Sequence, residues 1–150
     1  MNSPPQIYRD LGLMMRPLAV QINEILREHG IQPLEWIVLV ELIQDEALTA
    51  ADLAQRLTIE KPNVTRILKD LVQAGYVSVE ISREDKRKKH LHVTEKGRAI
   101  YRQVRVFIDA LDKEITAGIT EEEQQLFLNI IHRIRQNLIK RVGEKGSEWN

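Results

Sequence analysis

The stretch from Thr49 to Gly97 constrains this chain more than any other, because it sets two helix starts, a helix stop and a dense run of cations side by side. Thr49 followed by Asp52 is a Thr-x-x-acid helix start. The hydroxyl can cap orphan backbone N–H groups, and the acid complements the helix dipole. Leu53, Ala54 and Leu57 then share one face, which predicts a short amphipathic helix. Thr58 and Ile59 break the pattern. Pro62 falls where a second helix would begin, and proline suits a first turn because its missing N–H has no helical partner there. Val64, Ile67, Leu68, Leu71 and Val72 follow at the spacing of one buried helical face, and Gly75 ends the helix.

The other face of this second helix carries Asn63, Thr65, Arg66, Lys69 and Gln73. Asn, Thr and Arg near a helix N-terminus are types that read base edges, and Lys suits phosphates. A solvated surface is the plain alternative for such a face. What favours DNA is the order of elements: short helix, tight turn, proline-started helix, then a hairpin.

The hairpin comes next. Val77, Val79 and Ile81 alternate with Ser78, Glu80 and Ser82, and Leu91 and Val93 alternate with His90, His92 and Thr94 on the return. Both runs have the period of a strand. Between them lies Arg83-Glu84-Asp85-Lys86-Arg87-Lys88-Lys89, five basic and two acidic residues with a net charge of +3. With no Gly-based two-residue turn, the connection is a longer loop. Cations crowded on one tip repel each other, and a phosphate backbone or a minor groove would reward them.

At this point the segment resembles the winged helix-turn-helix of MarR/SlyA-type transcriptional regulators. The resemblance is carried by Leu53-Ala54 and Leu57, by Val64-Thr65-Arg66 and Leu71, and by Gly75-Tyr76-Val77. Its most specific part is Asp85-Lys86-Arg87, then Leu91 and Val93-Thr94-Glu95-Lys96-Gly97, similar to the family's D-x-R wing and L-T-x-x-G helix start. The resemblance implies that Arg87 enters the minor groove and that Asp85 helps to position it. Two positions depart from the pattern. Glu60 stands where many members have Ser or Asp as a helix cap, and His90 precedes Leu91 where an apolar residue is usual. Both bear on sequence preference rather than on the fold.

The DNA-contacting residues expected from these readings are Thr49, Lys61, Asn63, Thr65, Arg66, Lys69, Arg83, Asp85, Lys86, Arg87, Lys88 and Lys89. Asn63, Thr65 and Arg66 should meet bases or nearby phosphates. Thr49, Lys69, Lys86, Lys88 and Lys89 should mainly meet phosphates.

The chain of 150 residues has a formal net charge of zero, which argues against a general nucleic-acid coat. The distribution is more informative: residues 61–98 hold ten Lys/Arg and five Asp/Glu, a net of +5, so the remainder carries −5. One basic patch on an otherwise acidic protein favours a single binding face. There is no cysteine, hence no disulfide, no thiolate zinc site and no thiol redox sensing. The first ten residues lack a signal pattern, and the unbroken apolar runs are too short to span a bilayer. A cytoplasmic protein without a membrane partner is expected.

On the N-terminal side, Pro4 and Pro5 precede a predicted helix over about 6–28 that is apolar on two faces and that Pro17 should kink or at least deprive of one hydrogen bond. A second helix is predicted over 33–45, PLEWIVLVELIQD. The resemblance adds a short strand near Leu48. On the C-terminal side, one long helix is expected over about 94–118, capped by Thr94. Thr120-Glu121-Glu122-Glu123 starts another that runs to about Val142, with Leu126, Ile130, Ile134 and Leu138 on one face. The tail from Gly143 is polar apart from Trp149 and is expected to fray.

The expected architecture is therefore mainly α with a small β-hairpin wing: a single domain over 1–150. Its winged lobe spans 33–97, with the helix-turn-helix at about 49–75 and the wing at about 76–94. Helices over 4–30 and 98–142 carry more apolar surface than a monomer of this size can comfortably cover, which predicts an isologous two-fold dimer. A dimer would set two recognition helices roughly 34 Å apart and read a pseudo-palindrome. A monomeric helical bundle with a wing is the alternative.

No Gly-rich phosphate loop, nucleophile motif or metalloprotease signature is present, so no enzyme and no cofactor are expected. His90 and His92 share a strand face but have no evident third metal ligand. By the resemblance, small aromatic or anionic effectors bind between the DNA-binding lobe and the dimer helices. Met14, Met15, Arg16 and Trp36 are the candidate residues there, because methionine adapts to ligands and arginine holds carboxylates. Core packing is the plainer role for Met and Trp at helical spacing. The function expected is a DNA-binding transcriptional repressor acting as a homodimer on double-stranded DNA, under the control of a small effector. The alternative is a winged-helix protein-interaction module that does not bind DNA.

Overall fold

A computed structural model describes residues 4–146. The elements run α1 (Pro4–Glu28), α2 (Pro33–Gln44), α3 (Ala50–Leu57), α4 (Lys61–Gln73), β1 (Val77–Ile81), β2 (Lys89–Val93), α5 (Glu95–Ile115) and α6 (Glu121–Gly146). The chain is mainly helical, with one antiparallel hairpin in which Val77 faces Val93, Val79 faces Leu91 and Ile81 faces Lys89. It divides into two compact units, Met1–Leu111 and Asp112–Asn150.

The first unit holds the core. Val38, Leu39 and Leu42 of α2, Leu53 of α3, Val64 and Leu71 of α4, and Val104 of α5 have no accessible surface. Each such side chain stabilises the fold by about 1.5–3 kcal/mol relative to exposure. Leu26 of α1, Ile31, Leu48, Val77 and Leu91 close the cluster around them. Trp36 stacks on Tyr101 with ring centroids 5.5 Å apart, joining α2 to α5. Ion pairs tie the same elements at the surface. Arg56 of α3 reaches Glu41 at 3.1 Å and Asp45 at 3.4 Å, and Arg98 of α5 pairs with Glu46.

Several boundaries differ from the sequence reading. The first helix begins at Pro4 rather than Gln6, since prolines are tolerated where the amide has no partner. Pro17 lies inside it, as expected. The second helix ends at Gln44, with Asp45 as its cap. Leu48 is buried but forms no strand, and among the described residues the sheet has two strands. Val72 is 40% exposed although its spacing places it beside the buried face of α4, where only Val64, Ile67, Leu68 and Leu71 are buried. The long helix after Thr94 stops at Ile115, and Gly118 takes a left-handed conformation in the turn that follows.

The second unit contains the end of α5 and α6. The expected capping box is present: Thr120 N donates to Glu123 Oε2 at 2.8 Å, and Glu123 N donates to Thr120 Oγ1 at 3.2 Å. The helix continues to Gly146, beyond the expected end near Val142. Trp149 and the last part of the tail lie outside the described residues. Leu126, Phe127, Leu128, Leu138, Ile139 and Val142 are exposed along α6. No described helix is long and apolar enough to cross a membrane.

Candidate nucleic-acid interface

Helix α3 is set by its first turn. Asp52 N donates to Thr49 Oγ1 at 3.2 Å, while Thr49 N and Thr49 Oγ1 donate to Asp52 Oδ2 at 2.8 and 2.7 Å. The Thr49 amide, then its hydroxyl, hold the Asp52 carboxyl below its ordinary range. Both Thr49 protons thus serve the cap, and a phosphate at Thr49 would have to displace one of them. The turn into α4 is tight. Thr58 sits at φ 53°, an unusual conformation for a β-branched residue, and Ile59 N reaches back to Ala54 O at 3.0 Å.

Helix α4 packs Val64, Ile67, Leu68 and Leu71 into the core, so its other face must point away. Lys61, Asn63, Thr65, Arg66 and Lys69 are all exposed there. Thr65 Oγ1 donates to Lys61 O at 3.0 Å, within the helix itself. Glu60 makes no side-chain cap, in line with its weak capping chemistry. At the other end Gly75 adopts φ 80°, and Tyr76 N closes the helix on Leu71 O at 2.9 Å.

The wing is a loop held by two short polar side chains. Ser82 N donates to Lys88 O at 2.9 Å, and Lys88 N donates to Asp85 O at 2.9 Å. Ser82 Oγ accepts the amides of Glu84 and Asp85 at 3.3 and 3.4 Å. Asp85 Oδ1 accepts the Arg87 amide at 3.0 Å and lies 3.9 Å from Arg87 Nε. The Arg87 side chain is nevertheless 96% exposed. Arg83, Lys86, Lys88 and Lys89 are exposed around it. Ser82, which the alternation assigns to the strand, lies just past its end and holds the loop instead. A serine opening a turn three residues before an aspartate was the available signal.

The expected DNA contacts therefore lie in three consecutive pieces of one lobe: the start of α3, the outward face of α4 and the wing. The effector candidates are not gathered in the same way. Trp36 is buried in the core against Tyr101, whereas Met14, Met15 and Arg16 stand exposed on α1. No group of three His, Cys, Asp or Glu residues among those described could hold a metal ion. His92 Nε2 instead lies 3.1 Å from Glu80 Oε2 across the hairpin, and His29 hydrogen-bonds to Ile25 O at 2.8 Å.

This geometry is shared with known proteins. Residues 29–88 match the model of the MarR family. An uncharacterised HTH-type transcriptional regulator of Staphylococcus aureus is 31% identical over 137 residues, covering 90% of this chain and 94% of the relative. Among solved structures, the Staphylococcus aureus MarR in complex with salicylate and kanamycin is 28% identical, with a TM-score of 0.80 over 91% of this chain and 92% of its own. A MarR-family regulator from Listeria monocytogenes complexed with a 26mer DNA has a TM-score of 0.82 at 23% identity, covering 94% of this chain and 92% of its own. The hairpin and the two helices before it are thus the wing and helix-turn-helix of a known architecture, and the chain belongs to the MarR family of DNA-binding transcriptional regulators.

Proposed function

We propose that this chain is a repressor that binds a pseudo-palindromic operator as a homodimer in the cytoplasm and is released by a small aromatic or anionic effector. In this reading 1–150 is one MarR-like domain, with 33–97 as the DNA-binding lobe and 4–30 and 98–142 as dimerisation helices. Asn63, Thr65 and Arg66 contact bases or adjoining phosphates. Lys61, Lys69, Arg83, Lys86, Lys88 and Lys89 contact phosphates, and Arg87, steadied by Asp85, enters the minor groove.

The observation that carries the reading is the exposure of every one of those cations on two neighbouring elements, α4 and the wing, in a chain with zero net charge. Such a concentration supports phosphate binding on that face. The dimer is supported by the apolar side chains exposed on α1 and α6, among them Val20, Leu126, Leu138 and Val142. Monomers rarely leave such stripes bare. Effector control is supported by the salicylate held by the Staphylococcus aureus relative. A ligand acts in this scheme by favouring a dimer whose recognition helices are wrongly spaced for DNA.

Selection from a random duplex pool at two salt concentrations tests the proposal. Enrichment of an inverted repeat with half-sites about one turn apart is the expected result. Salt-sensitive binding without enrichment would replace it with general DNA coating. No binding at low salt would point to a protein-interaction module.

A further inference from the structure

The C-terminal end of α4 is closed by groups from the start of α5. Ala74 O accepts from Lys96 Nζ at 2.8 Å, Gly75 O from Thr94 Oγ1 at 2.5 Å, and Tyr76 O from Thr94 N at 3.0 Å. The carbonyl of the C-cap residue Ala74, which has no intrahelical donor, and those of the next two residues are thereby satisfied by residues 94–96. The same Thr94 hydroxyl accepts the Gly97 amide at 3.0 Å and so caps α5 as well.

Lys96 does more than donate one bond. Its ammonium lies 5.4 Å from the centroid of the Tyr76 ring, a cation–π contact. Its stem runs over Gly75, where an added Cβ would sit 3.4 Å from Lys96 Cδ. The positive charge thus rests against the negative end of the α4 dipole. A lysine in this basic lobe would ordinarily be assigned to a phosphate, but its ammonium already has a carbonyl and a ring.

We propose that Lys96 is a positioning residue for sequence recognition: it acts through α4, holding the recognition helix at one attitude against α5, and makes no phosphate contact. This rests on the reading that α4 enters the DNA groove. Base readout tolerates displacements of only about 0.5 Å, whereas attraction to a phosphate backbone tolerates far more. Loosening the α4 end should therefore cost discrimination before it costs general affinity.

The test compares Lys96→Met, Lys96→Arg and Lys88→Ala in the full chain. Two probes are used across a salt series: the duplex that the wild-type protein selects from a random pool, and an unselected duplex of equal length. All measurements are made where circular dichroism shows each variant fully folded. Lys96→Met is expected to weaken binding to the selected duplex about fivefold, the scale of one net hydrogen bond, with the unselected duplex and the salt slope unchanged. Lys96→Arg, which keeps both a donor and a positive charge for the Tyr76 ring, should retain most of the binding that Lys96→Met loses. Lys88→Ala should weaken both probes and lower the salt slope by about one.

Equal weakening of both probes by Lys96→Met with a reduced slope would make Lys96 a phosphate contact and overturn the proposal. Unchanged binding to the selected duplex would leave only a local helix cap and also overturn it. If the wild-type protein selects no duplex, the recognition reading of α4 fails and this inference fails with it. If selection succeeds and Lys96→Met is silent, this inference alone is lost.

Discussion

Replacing Gly97 by alanine should damage the joint between the wing and α5 more than its single methyl suggests. A Cβ at Gly97 would lie 2.2 Å from Tyr76 O and 2.9 Å from Val93 Cγ1. The first of these atoms is backbone and cannot rotate away. Tyr76 O is also the acceptor of the Thr94 amide at 3.0 Å, so moving it breaks the bond that joins the end of α4 to the start of α5. Overpacking of this kind costs about 1–3 kcal/mol, and leaving the amide and carbonyl unpaired costs about the same again. Alanine's better helix propensity returns up to about 1 kcal/mol. The expected net destabilisation is about 3 kcal/mol, or a fall in Tm of about 6–12 °C for a chain of this length. Urea titration followed by circular dichroism at one fixed protein concentration measures it, with Gly12→Ala as the control. Gly12 lies within α1 with nothing within 4 Å of an added Cβ, so that change should be neutral or stabilising. A loss below about 1 kcal/mol for Gly97→Ala, with an unchanged m-value, would refute the close approach of Tyr76 to α5.

Three further outcomes are expected. Arg87→Ala should weaken binding to every duplex and lower the salt slope by about one, and equal affinity at low and high salt would remove the wing from the interface. The Asp52 carboxyl titrates below its unfolded value, so its stabilising bonds to Thr49 are present above the unfolded pKa, near 3.8, and are lost as pH falls through the folded one. The stability gap between the wild type and Asp52→Asn should accordingly be constant near neutrality and close in acid; a gap that persists in acid would show that the carboxylate is not what stabilises α3. Leu138→Glu, on the exposed stripe of α6, should convert the proposed dimer to a monomer in sedimentation, and an unchanged mass would overturn α6 as its interface.

What could be read from residues alone was whatever depends on neighbours within one helical turn or one strand. The Thr49–Asp52 and Thr120–Glu123 boxes, the Gly75 stop and the strand Val77–Ile81 all appear where their spacing placed them, although Val79 and Ile81 stand exposed and only Val77 of that strand is buried. In each case the partners are a few residues apart, and the backbone itself brings them together. The basic tip was legible for a similar reason, since seven consecutive residues need no fold to become neighbours.

Tertiary structure decided the rest. Val72 fits the apolar period of α4 yet stands exposed, because burial requires a surface opposite and periodicity only aims a side chain. Trp36 stacks on Tyr101 of another helix, 65 residues further along the chain, a pairing that no local pattern announces. Lys96 belongs by composition to the basic patch, but its ammonium closes a helix 22 residues earlier in the chain. Its role follows from which elements meet in space, and no local pattern encodes that. Short-range chemistry determines the elements and their ends, while long-range packing selects which of several chemically suitable residues remain free to meet a partner.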